Sequence, residues 1–174
     1  MKGFSFIVNN EYFAVDVDLV QKVTQKMMVT PVPSAPDEII GIANLKGRVI
    51  TILSLYQLLG HKERRNKEYS SRAVKAVVFK IFSGSEDQFG LFIDKPGDLI
   101  DIDNNTIRLP SLPTGAEDSF CISGIAELDN KLYRIINIDS IINKYKFKSE
   151  KTIGSIAAEA DILFKEGIEN DKKN

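Results

Sequence analysis

The hydrophobic positions come in short runs separated by turn residues, and the runs read as strands. FSFIV (Phe4–Val8) is aromatic and β-branched, Asn9-Asn10 supplies a turn signal, and EYFAVDV follows, so the pair predicts a hairpin. Val15 and Val17 alternate with Asp16 and Asp18, which predicts a half-buried strand with both aspartates on a solvated face. Val20 and Val23 continue apolar without a clear period. TPVPSAPDE holds three prolines and is expected to be irregular, with Pro36-Asp37-Glu38 opening a short helical turn. GIANL and RVITIL predict two strands around Lys46-Gly47, and SLYQLLG a short helix stopped by Gly60.

Residues 61–72, HKERRNKEYSSR, are polar and predict a linker or exposed loop. AVKAVVFKIF (Ala73–Phe82) is the next expected strand, SGSEDQ a turn, and FGLFID a further strand that Pro96-Gly97 should break. DIDNNT reads as a turn and LPSLPTGAEDS as a long loop. FCISGIAEL and KLYRIINI predict a hairpin around Asp129-Asn130, and DSIINKY a second short helix. Ile153, Ile156, Ala157, Ala160, Leu163 and Phe164 fall on one helical face, so a C-terminal helix over 151–174 is expected, with a frayed ENDKKN tail.

The pattern occurs twice. GIANLKGRVITILSLYQLL (Gly41–Leu59) aligns without a gap on GIAELDNKLYRIINIDSII (Gly124–Ile142), 83 positions later. FAVDVDLVQKV, from Phe13, lies over FGLFIDKPGDL, from Phe89, at an offset of 76. Matched blocks in the same order favour duplication. Many short strands, built twice, predict a mainly β fold of two small barrels with an apolar interface between them.

Composition narrows the function. The 174 residues are 43% hydrophobic and 27% charged, with a net charge of −1, so no global basic field supports nucleic-acid binding. No apolar run approaches the ~20 residues of a membrane helix, and direct membrane insertion is not expected. MKGFSFIVNNEYF has a short apolar core and no small-residue cleavage site, so it is not read as a signal peptide. The single cysteine, Cys121, fits a reducing cytoplasm and reads as a buried, inert thiol. His61, the single histidine, reads as solvated.

The catalytic and metal classes come up empty. Asp101, Asp103 and Asn105 alternate as in a calcium loop, but Thr106 stands where the turn needs Gly and Leu112 where a bidentate Glu is needed. No phosphate-cradling or dinucleotide glycine motif occurs, and no cofactor is predicted. Val17, Val20, Val23 and Leu99 remain, with two readings open on residue type: core, or the lining of a groove between the barrels.

EYFAVDVDLVQKV, TPVPSAPDEIIGIANLKGRVITILSLYQLLG, FGLFIDKPGDLIDI and GIAELDNKLYRIINIDSII together resemble the CheW family of chemotaxis coupling proteins, over about residues 4–145. The resemblance implies two SH3-like five-stranded barrels packed together. It implies a domain over 1–150 with interlocked barrels at roughly 14–68 and 73–135 that share flanking strands. It implies a non-catalytic adaptor between the cytoplasmic tips of methyl-accepting chemoreceptors and the regulatory domain of the histidine kinase CheA, in the cytoplasm and recruited to membrane receptor arrays. By position, Val17, Val20, Val23 and Leu99 would line the receptor groove, with Gly41 beside it.

Three residues depart from the family's usual pattern. Lys46 stands for Arg, Lys22 for Glu, and Ser54 for Asp. Lys22 and Lys46 are the implied signalling positions, and two lysines cannot form the family's ion pair. The departure leaves a second reading: a diverged CheW-like module scaffolding a different receptor–kinase pathway.

Overall fold

The structure, a computed structural model, describes residues 1–61, 73–80, 88–109 and 120–145. The chain divides into Met1–Asn137 and Ile138–Asn174. In the second body, residues 138–145 form a helix, as DSIINKY predicts. The expected C-terminal helix, the expected boundary at residue 150, most of the polar linker, the SGSEDQ turn and the LPSLPTGAEDS loop lie outside the described residues.

Ten strands are described: β1 (Lys2–Val8), β2 (Glu11–Asp16), β3 (Val20–Met28), β4 (Ile39–Leu45), β5 (Arg48–Ser54), β6 (Ala73–Phe79), β7 (Phe89–Ile93), β8 (Lys95–Asp101), β9 (Ile122–Leu128) and β10 (Lys131–Ile136). They form two five-stranded sheets, ordered β8-β1-β2-β10-β9 and β3-β6-β7-β5-β4. Thr30, just past β3, bridges Ile42 of β4, and Arg108, past β8, bridges Ile125 of β9. The outer strands of each sheet therefore meet, and each sheet closes into an SH3-like barrel.

The duplication is real, and its halves are exchanged. Repeat one is β1–β5 and repeat two is β6–β10. Each repeat gives its opening hairpin to one barrel and its three remaining strands to the other. The barrel boundary therefore does not fall at the polar linker: β6 and β7 lie with β3–β5, and β1 and β2 with β8–β10. Registers agree residue by residue. Parallel pair Thr51↔Phe89 corresponds to Arg134↔Phe13, and Ile52↔Gly90 to Ile135↔Ala14. The antiparallel pairs Gly41↔Ile52 and Gly124↔Ile135 correspond as well.

Turn chemistry explains the hairpins. Asn9 and Asn10, Lys46 and Gly47, and Asp129 and Asn130 all have positive φ, the condition for the two-residue turns that match strand twist. Ser54 caps the helix α1 (Leu55–Leu58), its Oγ accepting from Gln57 N, and Gly60, with φ 78°, ends the turn. Serine thus performs the capping that an Asp at this position would perform.

Each barrel has its own core. Ala14, Ile102, Ala126, Tyr133 and Ile135 fill the first, and Met27, Val29, Ile40, Ile50, Ile52 and Val74 are among those filling the second. Burying such a side chain stabilises the fold by about 1.5–3 kcal/mol. Phe13, Ala14 and Val15 are consecutive and all buried, as are Ala76 to Phe79. Strands buried on both faces need a cover on each. The barrels cover one another here: β1 touches β7, and Asp94 N donates to Ile7 O.

Three local expectations need correction. The β2 strand stops at Asp16, because Asp16 Oδ1 accepts from Asp18 N and caps a 3-10 turn over Val17–Leu19. Pro36-Asp37-Glu38 makes a single turn closed by Ile39 N to Pro36 O. The FGLFID run does end, but at the bend of Asp94, and Pro96-Gly97 lies inside the next strand, β8. An outer strand has one open side, so the missing proline N–H is tolerated. Gly97 sits where a Cβ would lie 2.3 Å from Ser5 Oγ, which is hydrogen-bonded to Asp98 N and O.

Candidate functional site

The residues expected to line a groove begin where the chain passes from one barrel to the other. Asp16 ends β2, the 3-10 turn carries Val17, and Val20 starts β3 opposite Phe79. Val17, Val20 and Val23 are half-buried, and none belongs to either core cluster. Leu99 is 70% exposed on β8, opposite Phe4. Val23 and Leu99 are equivalent in the repeat, each on the outer strand of its own barrel.

Gly41 has a different situation. It is buried in β4, and a Cβ there would lie 2.3 Å from Thr30 O and 2.8 Å from Val29 Cγ1. The position holds the closing strand against β4 and offers no side chain to a partner. Gly124 does the same in the other barrel, where a Cβ would meet Ile107 Cγ2 at 2.3 Å.

Lys22 and Lys46 are both exposed. Lys22 lies just after a bulge in β3, since Val20 pairs with Phe79 and Lys22 with Val78, leaving Gln21 extra. Lys46 takes φ 52° in the β4–β5 turn, where Asn44 Oδ1 accepts from Gly47 N. The Thr30↔Ile42 bridge is antiparallel, and β3 and β4 touch. Sequence reasoning missed one further cation, Lys26, exposed in the bulge of β3 between Thr24 and Met27.

It also missed Gln88, for which the sequence holds no signal. This buried side chain donates from Nε2 to Phe79 O at 2.8 Å and to Gln21 Oε1. It thereby ties the bulge of β3 to the strand beneath, and a bulge sets the direction of its neighbours' side chains.

Other candidate chemistry lies apart. His61 stacks on Tyr56 at 4.5 Å after α1, in the barrel of β3–β7, and Cys121 is buried ahead of β9 in the other. Asp103 Oδ1 accepts from Asn105 N and Nδ2 and so caps its own turn. Among the described residues, no three His, Cys, Asp or Glu side chains cluster as a metal site would require, and no helix is long and apolar enough to cross a membrane.

Comparison with known proteins places this arrangement. The chain is 26% identical over 146 residues to the chemotaxis protein CheW of Thermotoga maritima, spanning 83% of this chain and 89% of that protein. It is 27% identical over 145 residues to the chemotaxis protein CheW of Helicobacter pylori, spanning 83% and 82%. Its fold matches the crystal structure of the scaffolding protein TtCheW from Thermoanaerobacter tengcongensis with a TM-score of 0.65 and 28% identity, over 79% of this chain and 88% of that one. The CheW-like domain family matches residues 2–146, and the chain belongs to that family.

Proposed function

We propose that this chain is a non-catalytic chemotaxis adaptor that couples the cytoplasmic tips of chemoreceptors to the regulatory domain of the histidine kinase CheA. The observation that carries the reading is the match to the CheW-like domain over residues 2–146, with both barrels formed. The half-buried Val17, Val20 and Val23, with Leu99, form the receptor-facing surface, and they anchor one face of a receptor helix. Gly41 serves that surface indirectly, by allowing the barrel to close. Membrane arrays hold the adaptor through many weak contacts, which multiply in avidity.

Isothermal calorimetry of this chain against a chemotaxis kinase regulatory domain tests the reading, with Val20→Asp as the comparison. Micromolar binding by both proteins is expected, because the valines face the receptor and not the kinase. Lys22 and Lys46 favour a second reading, a diverged module serving another receptor–kinase pathway. That reading takes over if neither folded protein binds the kinase.

A further inference from the structure

The chain crosses between the barrels at two places that the repeat makes equivalent. Asp18 lies between β2 and β3, and Asp94, 76 positions on, lies between β7 and β8. The two crossings are held differently. Asp18 N donates to Asp16 Oδ1 inside its own 3-10 turn, and Asp18 is exposed. Asp94 is half-buried and joins both barrels. Its N–H donates to Ile7 O at 2.9 Å, and its Oδ2 accepts from Asn9 N at 2.6 Å, both at the β1–β2 hairpin of one barrel. Its carbonyl accepts from Lys75 Nζ, on β6 of the other barrel, at 3.0 Å. Asp94 immediately precedes β8, the strand that carries Leu99.

Strand faces say what this junction controls. Val20 pairs with Phe79 and Val23 with Val77, so all four share one face of the sheet. Val74, Ala76 and Val78, the alternate residues of β6, belong to that barrel's core, so Val20 and Val23 point out of their own barrel. Leu99 pairs with Phe4, while the neighbouring Gly3 faces Ile100, Ile102 and Ala14 on the core side. Leu99 and Phe4 therefore point out of theirs. Phe4 stacks on Phe6 and Phe6 on Phe13, and the last two are fully buried although outside that barrel's core cluster. β1 touches β7 and the 3-10 turn of Val17. The valines and Leu99 thus lie on the faces that the barrels turn toward each other, and their spacing depends on how the barrels are set. Apolar packing draws such faces together without fixing their angle, because it is non-directional, whereas hydrogen bonds are directional. We infer that Asp94 is a positioning residue for the groove: held by Asn9 at its carboxylate and by Lys75 at its carbonyl, it fixes Leu99 relative to Val20 and Val23, so that a receptor helix meets both walls at once. This inference rests on the receptor-groove reading and deepens it.

The test uses the full chain, a chemoreceptor cytoplasmic-tip hairpin as the probe, and the variants D94A, D94N and V20D, at a temperature where each is folded. D94A removes the acceptor for Asn9 N, and D94N keeps an oxygen there. If the untied molecule holds the binding geometry in about a tenth of its population, D94A should weaken probe binding about tenfold, while D94N stays near wild type. Spin labels at R48C and E127C, one exposed site on each barrel, read the setting of the barrels directly. Their distance distribution should broaden in D94A and not in D94N. Wild-type affinity in D94A, with V20D abolishing binding, overturns the positioning role and leaves the groove standing. A loss in D94A with an unchanged distance distribution, or an equal loss in D94N, also overturns it. Unchanged binding by V20D, or no binding by the wild type, overturns the groove reading and this inference with it.

Discussion

Gly41 and Gly124 occupy the same place in the two barrels, 83 residues apart in the chain, each pressed against the segment that closes its barrel. What they press against differs. A Cβ at Gly41 meets backbone, Thr30 O at 2.3 Å and Thr30 C at 2.8 Å, with φ at 156°. A Cβ at Gly124 meets a side-chain branch methyl, Ile107 Cγ2 at 2.3 Å, with Arg108 O at 3.2 Å.

Backbone cannot yield as a side chain can, so the two substitutions should separate. Gly41→Ala should lower stability by about 3 kcal/mol, combining overpacking with backbone strain. Gly124→Ala should lose only about 1 kcal/mol, because Ile107 can change rotamer. Urea unfolding of both variants measures the difference. Equal losses would mean that the two closures are held alike.

Gln88 should behave as a buried polar tie. Gln88→Leu removes the donor to Phe79 O and Gln21 Oε1 at near-constant volume. The expected loss is about 1–3 kcal/mol. A structural role alone would change only the melting temperature. If the tie also aims Val20 and Lys22, binding of a receptor-tip fragment should weaken at temperatures where the variant is fully folded. A melting shift with unaltered affinity would confine Gln88 to stability.

Arg134 and Glu11 join β10 to β2 through a hydrogen-bonded ion pair whose side chains are 38% and 40% exposed. Solvent screens such a pair, so a double-mutant cycle should return a coupling of about 0.5 kcal/mol that fades in high salt. Arg134→Ala should nonetheless destabilise more than Glu11→Ala, because its guanidinium also lies 5.9 Å from the Phe13 ring centroid. Equal single-mutant losses would remove the ring contact from the account.

The repeat was legible because Gly-Ile-Ala, the hairpin turns and the apolar runs are local features. The exchange of hairpins between barrels was not, since a strand's pattern does not name its partner. Val20 and Val23 resisted phasing for a specific reason. Bulges at Gln21 and between Thr24 and Met27 break the two-residue period of β3. The break expected at Pro96-Gly97 falls at Asp94 instead, because proline is tolerated in a strand with one open side. Val17, Val20, Val23 and Leu99 could be named as expected groove residues by resemblance, but the half-burial of the valines and the exposure of Leu99 needed the fold.

The central claim is that this chain bridges receptor and kinase. The direct measurement is co-sedimentation of the kinase CheA with membranes bearing a chemoreceptor, with and without this chain. The account predicts kinase in the pellet only when the chain is added, and its loss with Val20→Asp while that variant still binds kinase in solution. Kinase in the pellet to the same extent without the chain, or with Val20→Asp, would contradict it.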